Sequence, residues 1–196
     1  MEFFIDVDGV ILDFETSFMN LLREDYVPDL PQGYYPESWE MSEISGVDIA
    51  EAWDRFVNSE RMGNLDLLCE RESFNQIAAQ YPLHLVSNIP NQYFEKREEN
   101  LNKHGLSYSA LHLAGHEKFG AIDYPTKAQK IAKIRSQDKR LIFLDDNPSN
   151  CKEIREYFPE SEVFLMHRPH NKKTADCSSW TRVKDWREFI SQVTFS

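Results

Sequence analysis

Short apolar runs alternate with helical patterns along this chain, and this alternation limits its fold more than any other feature. Strands that alternate with helices build a parallel sheet covered by helices on both faces. Strands are predicted at 3–7, 83–87, 110–114, 141–144 and 163–166, and helices at 92–104, 127–136, 149–157 and 185–193. The sequence therefore predicts an α/β fold with a central parallel sheet.

The stretch between the first two predicted strands is too long for a single crossover helix. Residues 14–80 are expected to hold two or three helices and a loop at 26–41 that is rich in proline and aromatic residues. We interpret them as a small, mainly helical cap over the edge of the sheet at which the first strand ends. The predicted domains are thus a core of residues 1–13 and 81–196 and a cap of residues 14–80.

Aromatic side chains are frequent in the predicted cap, namely Tyr34, Tyr35, Trp39, Trp53 and Phe56. Such rings stack on a flat ligand at a binding site. Large aromatic side chains also fill hydrophobic cores, including the small core of a cap. The sequence leaves both roles open for each ring.

The formal net charge of −11 limits the partners that the chain binds. A strongly acidic surface repels the phosphate backbone of DNA and RNA, so we expect no binding to a nucleic acid polymer. A small phosphorylated metabolite is compatible with this charge where a metal ion, a lysine or backbone amides help to bind it. The sequence does not indicate an oligomeric state.

The apolar stretches are too short to cross a bilayer, and residues 1–5 lack the basic start and long apolar run of a signal peptide. The three cysteines, Cys69, Cys151 and Cys177, are scattered, which is not typical of a disulfide framework or a metal site. We therefore expect a cytoplasmic protein that does not interact with a membrane.

The first predicted strand ends in two carboxylates, Asp6 and Asp8, followed by Gly9. Residues two apart on a strand point to the same face, so both carboxylates project together. Carboxylates that close raise each other's pKa unless a cation lies between them. Gly9 permits a sharp turn and brings backbone amides near the carboxylates. Ligands bind at such strand ends in open α/β sheets, although a simple acidic turn has the same pattern.

The fourth predicted strand also ends in two carboxylates, Asp145 and Asp146, with Pro148 at the start of the next helix. An isolated Asp-Asp pair is common as a helix cap. Two acidic strand ends in one small protein favour a shared cation site instead. If the two strands are neighbours, Asp6, Asp8 and one of the Asp-Asp pair offer oxygen ligands to an octahedral Mg²⁺.

Two further segments carry groups that bind anions. Ser87 ends the second predicted strand, and its hydroxyl and the amide of Asn88 are potential donors to a phosphate oxygen. Thr126 and Gln129 match a capping box, which places Lys127 in the first turn of a helix. A cation there opposes the helix dipole, at a cost of roughly 0.3–1 kcal/mol when exposed, so we expect it to have an anionic partner. The alternative is a surface lysine in a lysine-rich helix.

These four segments, in this order, resemble the motifs of the haloacid dehalogenase superfamily. Those motifs are a strand ending in Asp-x-Asp-Gly, a strand ending in Ser or Thr, a lysine at a helix start, and a strand ending in Asp-Asp. The resemblance implies a Rossmann-like core with a five-stranded parallel sheet, the first strand central and the cap inserted after it. It also implies a phosphatase that depends on Mg²⁺ and forms an aspartyl-phosphate.

The same resemblance implies a role for each matching residue. Asp6 would attack phosphorus, and Asp8 would protonate the leaving oxygen and then activate water. Mg²⁺ would be bound by Asp6, by Asp8 through its backbone carbonyl, and by Asp145, with Asp146 in support. The residues implied in phosphate binding are Ser87, Asn88, Lys127 and Gly9.

A closer resemblance, to the 5'(3')-deoxyribonucleotidase family, comes from Asp-x-Asp-Gly-Val followed by Asp13-Phe14-Glu15. The runs 167–171 and 185–188 also match it. In that family the residue matching Phe14 lines the nucleobase pocket, which implies a (deoxy)ribonucleoside monophosphate as the substrate. The predicted substrate pocket combines this residue with aromatic residues of the cap, and it comprises Phe14, Tyr35, Trp39 and Trp53.

Departures from that family keep other substrates open. Asn147 follows Asp-Asp where the family has a basic residue, and Ser87-Asn88 replaces a Thr-Ser pair. A phosphatase for a sugar phosphate or another small metabolite is the alternative within enzymes. A catalytically silent protein with the same fold, which binds a partner through its acidic or aromatic surface, is the alternative outside them.

The polar loop that contains His167, Arg168 and His170 follows the last predicted strand. Such side chains bind metal or phosphate at some sites. In a short loop they more often form hydrogen bonds to the backbone at the edge of the sheet, and we predict this role here.

Overall fold

The computed structural model describes residues 1–38, 41, 43–114 and 126–195. Within them, six parallel strands form one sheet in the order β3-β2-β1-β4-β5-β6. The strands are β1 (Glu2–Ile5), β2 (Leu83–Ser87), β3 (Ala110–Leu113), β4 (Leu141–Asp145), β5 (Glu162–Met166) and β6 (Thr181–Val183). The α-helices of the described ranges are α1 (Phe14–Asp25), α2 (Ile49–Asn58), α3 (Arg71–Gln80), α4 (Phe94–Lys103), α5 (Lys127–Ile134), α6 (Pro148–Tyr157) and α7 (Trp186–Gln192).

The predicted α/β class, the parallel sheet and the central position of the first strand are confirmed, since β1 pairs with β2 on one side and β4 on the other. The predicted number of five strands is wrong by one. Strand β6 lies at the edge, where Thr181 pairs with Phe164 and Val183 with Met166. It has only three residues, which is too short for an alternating pattern to be visible in the sequence.

Alternate residues of the central strands enter two different hydrophobic cores. Phe3 and Ile5 of β1 belong to one buried cluster, whereas Phe4 belongs to the other. The same alternation holds in β4, where Leu144 lies in the first cluster and Phe143 in the second. Because both faces of the sheet are buried, these strands appear in the sequence as continuous apolar runs.

The register of the central strands aligns their carboxyl ends. Ile5 of β1 pairs with Leu85 of β2 and with Leu144 of β4. The next residues along β1 and β4 are Asp6 and Asp145, so the two acidic segments leave the sheet side by side. The topology alone therefore places the two acidic strand ends at one edge.

Helices α1 and α2 pack against each other through an aromatic cluster. Phe14 and Phe18 of α1 contact Trp53 and Phe56 of α2, with ring centroids 5.2 to 6.4 Å apart. The four rings pack together in one cluster, so a large part of the aromatic content of the predicted cap is used in packing.

Helix α3 packs against α7. The ring of Phe74 lies 5.4 Å from that of Trp186, and Trp186 Nε1 donates a hydrogen bond of 2.9 Å to Ser73 Oγ. The division of the chain into a core and a cap at residue 80 stays a prediction. None of the helices in the described ranges has the length and apolar character needed to cross a membrane.

Candidate active site

Three carboxylates meet at the carboxyl ends of β1 and β4. Asp6, Asp145 and Asp146 each place an oxygen within 4.8 Å of the others, and all three are buried. We call these three residues the acid cluster. Their proximity follows from the pairing of β1 with β4 and was expected from the two acidic strand ends.

Lys127 is the cation that the acid cluster contacts most closely in the part of the chain described. Its Nζ lies 2.6 Å from Asp6 Oδ1 and 2.6 Å from Asp145 Oδ2, and the residue is 2% exposed. Thr126 caps helix α5 by accepting from the backbone N–H of Gln129, which fixes the lysine in the first turn as predicted. Burial alone would lower the pKa of Lys127, but Asp145 and Asp6 together raise it, so the side chain stays charged.

The two carboxylates of the β4 end differ sharply in their partners. Asp145 accepts hydrogen bonds from Lys127, from the backbone N–H of Asn147 at 2.7 Å and from Asn150 Nδ2. Both oxygens of Asp146 are buried, and neither accepts a hydrogen bond from the described residues. His170 Nε2 lies 3.5 Å from Asp146 Oδ2. The cluster therefore has one saturated carboxylate and one with free acceptor capacity.

Burial and neighbouring negative charges both raise pKa values in the acid cluster. Burial raises the pKa of Asp6 well above its usual value, the charge of Asp145 raises it further, and Lys127 only partly opposes the shift. Burial and Asp145 likewise raise the pKa of Asp146, against Arg168 and Lys127. A second cation at the cluster would reverse both shifts because it favours the ionised form.

Gly9 packs directly against the free carboxylate. Its φ is +77°, and a Cβ at this position would lie 1.9 Å from Asp146 Oδ2. The Gly9 N–H donates to the carbonyl of Leu12 at 2.8 Å. The glycine is needed here because Asp146 approaches so closely, and the role of Gly9 in phosphate binding stays a prediction.

Asp8 is not one of the three carboxylates of the acid cluster, and it accepts from two other donors. Its Oδ1 accepts from Arg97 Nη2 at 2.6 Å and its Oδ2 accepts from Ser87 Oγ at 3.0 Å. The structure thus brings Ser87 to the site, where its hydroxyl donates to the Asp8 carboxylate. Asn88 follows it with a buried Oδ1 that has no hydrogen-bond partner among the described residues.

Arg97 is a site residue that the sequence analysis missed. It lies in α4 with 0% exposure, although the helix is so rich in charged residues that it appears solvated from its sequence. The spacing to Leu101 was the available signal, since residues four apart on a helix share a face and Leu101 is buried.

The polar loop after β5 lies beside Asp146 and contacts backbone carbonyls of the site. Arg168 Nε donates to the carbonyl of Gly9, and Asn171 Nδ2 donates to the carbonyl of Asp146 at 2.7 Å. His170 Nδ1 also lies 3.5 Å from Oε1 of Glu15, which is buried. The predicted backbone role is confirmed for Arg168 and for His170, whose Nε2 lies 3.2 Å from the carbonyl oxygen of Asp146. Glu15 is a further neighbour of the site, to which the sequence analysis gave no role.

Three of the predicted substrate-pocket residues lie in or beside one hydrophobic cluster. Phe14 is 2% exposed and packs with Trp53 in the aromatic cluster. Tyr35 contacts helix α1, with its hydroxyl 3.0 Å from Thr16 Oγ1. Trp39 lies outside the described residues. Their use as a nucleobase pocket stays a prediction.

Comparison with known proteins identifies the fold. No protein-family model matches the chain, and no curated protein matches it significantly. Solved structures do match. The haloacid dehalogenase-like family protein SP0104 from Streptococcus pneumoniae aligns with 16% identity and a TM-score of 0.57 over 85% of this chain and 84% of its own. The fold is that of the haloacid dehalogenase-like hydrolases.

Two other solved structures share this fold. The HAD-hydrolase YfnB from Bacillus subtilis, bound to magnesium, aligns with 13% identity and a TM-score of 0.55 over 97% of this chain and 96% of its own. The L-2-haloacid dehalogenase from Xanthobacter autotrophicus, with chloropropionic acid covalently bound, aligns with 10% identity and a TM-score of 0.53 over 85% and 77%. Such low identities show the fold alone, so the reaction has to be argued from the side chains.

Proposed function

We propose that this protein is a Mg²⁺-dependent hydrolase of phosphoric monoesters in which Asp6 is the nucleophile. The observation that carries the proposal is the acid cluster, a buried set of three carboxylates beside Lys127, in which the oxygens of Asp146 accept no hydrogen bond from the described residues. Such a set binds a divalent cation on one side and an anionic substrate on the other.

The chemistry of the acid cluster fits Mg²⁺. The ion prefers carboxylate and carbonyl oxygens in octahedral geometry, and the cluster offers only oxygen donors. Asp146 is the better direct ligand than Asp145, because the oxygens of Asp145 already accept from Lys127, Asn147 and Asn150. This reverses the ligand preference drawn from the sequence. When bound, Mg²⁺ supplies positive charge that offsets the charge of the transferring phosphoryl group.

The remaining chemistry belongs to the side chains. Asp8 enters the first step in its protonated form. An Asp6 oxygen attacks phosphorus, the bond from phosphorus to the ester oxygen breaks, and that oxygen takes the proton from Asp8. Water then attacks the phosphorus of the aspartyl-phosphate, gives a proton to Asp8, and the bond from Asp6 to phosphorus breaks. Phosphate is released and both carboxyl groups return to their first state.

Ser87 and Lys127 are the phosphate-binding groups in this proposal. The hydroxyl of Ser87 contacts Asp8, and the ammonium of Lys127 contacts Asp6. The lysine neutralises Asp6 so that an anionic substrate approaches an anionic nucleophile without strong repulsion. A small phosphorylated metabolite in the cytoplasm is the proposed substrate, and a (deoxy)ribonucleoside monophosphate is the narrower proposal.

Dehalogenation is the second candidate function, because one structural neighbour is an L-2-haloacid dehalogenase. A halide leaves as a stable anion and needs no proton. An alkoxide needs one, and Asp8 is a carboxyl group held at the end of β1 by two donors. The position of Asp8 therefore supports a phosphate ester over a haloacid as the substrate.

Hydrolysis of p-nitrophenyl phosphate tests the proposed function. We expect turnover with Mg²⁺, none with EDTA, and a loss of at least about 10³-fold in Asp6→Asn. Asp48→Asn, at the N-cap of α2, is the matched control and should retain the rate, since asparagine caps helices as well as aspartate does. Metal-independent turnover, or an active Asp6→Asn variant, would sink the mechanism.

Two parallel assays assign the substrate class. Chloride release from 2-chloropropionate should be absent, and its presence without phosphatase activity would support the second candidate. A screen of nucleoside monophosphates against sugar phosphates tests the narrower proposal. Equal, weak turnover of all nucleotides would exclude a nucleotidase and leave the phosphatase intact.

A further inference from the structure

Arg97 is a wholly buried cation whose ion-pair partner is Asp8. Its Nη2 lies 2.6 Å from Asp8 Oδ1, and its Nε and Nη1 have no hydrogen-bond partner in the described ranges. A buried ion pair is weak support for stability, since apolar side chains of similar volume stabilise a core as well or better. The arginine is therefore better explained by what it does to Asp8.

The second donor to Asp8 is less permanent. Ser87 has a single hydroxyl proton, which it donates to Asp8 Oδ2 in this structure. A hydroxyl donates one hydrogen bond at a time. If Ser87 donates to a bound phosphate, as in the proposed function, Asp8 loses this partner and Arg97 alone continues to hold it.

Helix α4, which contains Arg97, is held in place by contacts of its other side chains. Lys96 Nζ donates to the carbonyls of Val57 and Ser59, and the side-chain amide of Asn100 bonds the backbone of Leu65 in both directions. These contacts fix the helix against residues 57–65. A group on a fixed helix holds its partner with less freedom than a group on a loop does.

We propose that Arg97 is a positioning residue that orients the Asp8 carboxyl for proton transfer during turnover. This inference rests on the proposed function of Asp8 and goes beyond it. Arg97 acts on catalysis only through Asp8 and makes no contact with the substrate. Its loss should therefore lower kcat and leave KM for the phosphate ester nearly unchanged.

A double-mutant cycle on p-nitrophenyl phosphate with Mg²⁺ separates this role from a structural one. Arg97→Met should lower kcat by roughly 10²-fold, which is the lower range of general acid–base catalysis, with KM within about threefold. Arg97→Lys keeps the charge and should recover part of the loss. In an Asp8→Asn background, Arg97→Met should lower kcat by no more than about twofold, because the group that it orients is already absent.

The control addresses the contacts of α4 with residues 57–65. Lys96→Met removes a cation from the same helix and its bonds to Val57 and Ser59 but touches nothing at Asp8. It should keep kcat within about twofold. If Arg97→Met does not fold, the double variant Asp8→Asn/Arg97→Met, which leaves no unpaired buried charge, and Arg97→Lys complete the comparison.

The outcomes distinguish this inference from the proposed function. If the unmodified protein does not hydrolyse phosphate esters, the proposed function fails first. If it does, an unchanged kcat in Arg97→Met overturns the inference, as does an equal loss of kcat in the presence and absence of the Asp8 carboxyl. A rise in KM with unchanged kcat would also overturn it, because it would place Arg97 on the substrate.

Discussion

The carboxyl ends of β1 and β4 have similar sequence patterns and different surroundings. Each apolar strand has two aspartates at or just after its carboxyl end. At the β1 end each carboxylate has a cation, Lys127 for Asp6 and Arg97 for Asp8. At the β4 end Asp145 shares Lys127, and Asp146 accepts no hydrogen bond from the described residues. The β1 end is thus equipped for reaction with an anion, and the β4 end for a further cation.

The charges at the two strand ends support the same distinction between a reactive β1 end and a cation-binding β4 end. Four carboxylates at the two strand ends face Lys127 and Arg97, and Glu15 and Arg168 add one charge of each sign beside Asp146. When all of these groups are ionised, two negative charges are in excess, which one divalent cation would cancel. Burial is the largest cause of the raised pKa values of Asp6 and Asp146, and the charge of neighbouring carboxylates raises them further.

Neutralising each carboxylate of the β4 end in turn is the strongest way to break this comparison. In EDTA, Asp145→Asn should lower the free energy of unfolding by about 1–3 kcal/mol, because it weakens the hydrogen bonds that Lys127, Asn147 and Asn150 donate, while Lys127 keeps its ion pair with Asp6. Asp146→Asn should leave stability unchanged or raise it, since it removes a buried carboxylate whose oxygens accept no hydrogen bond from the described residues. Denaturant unfolding measures both.

The same pair also locates the metal. Asp146→Asn should raise the Mg²⁺ concentration for half-maximal activity by at least about tenfold. Two results would contradict the assignment of Asp145 as the partner of Lys127 and of Asp146 as the metal ligand. One is equal destabilisation by both variants, and the other is an unchanged Mg²⁺ dependence in Asp146→Asn.

The pH dependence of stability is a smaller effect that sharpens the comparison. The folded state raises the pKa of Asp6 and Asp146 above their values in the unfolded chain, so without metal it binds more protons than the unfolded state does. Stability contributed by these groups is therefore lost as pH rises from about 4 through the folded-state pKa values. Mg²⁺ relieves this loss.

Thermal unfolding at about pH 5 and about pH 8, with Mg²⁺ and with EDTA, measures the effect. The increase in Tm caused by Mg²⁺ should be larger at the higher pH. In Asp146→Asn the difference between the two pH values should shrink. An increase in Tm that is the same at both values would mean that the ion does not bind at the raised carboxylates.

Most of the fold and part of the site could be predicted from the sequence, for local reasons. Continuous apolar runs reveal strands buried on both faces, and the capping box at Thr126 places Lys127 at a helix start. These patterns need no knowledge of distant contacts. The short edge strand β6 has too few residues for a pattern, so it was missed.

The partners of the carboxylates could not be predicted, because they depend on contacts distant in sequence. Arg97 lies 89 residues from Asp8, inside a helix whose charges suggest exposure. The difference between Asp145 and Asp146 is equally invisible in the sequence. It depends on which of them the lysine and the side chain of Asn150 reach. Such choices are made by tertiary packing.

Covalent trapping at the β1 end tests the central claim most directly. The protein is mixed with a phosphate ester and Mg²⁺, quenched in acid within the first turnover, and digested for mass spectrometry. We expect one phosphoryl group on the peptide that contains Asp6, none with EDTA, and none in Asp6→Asn. Turnover without any phosphorylated peptide, or with the phosphoryl group on a different residue, would contradict the assignment of Asp6 as the nucleophile.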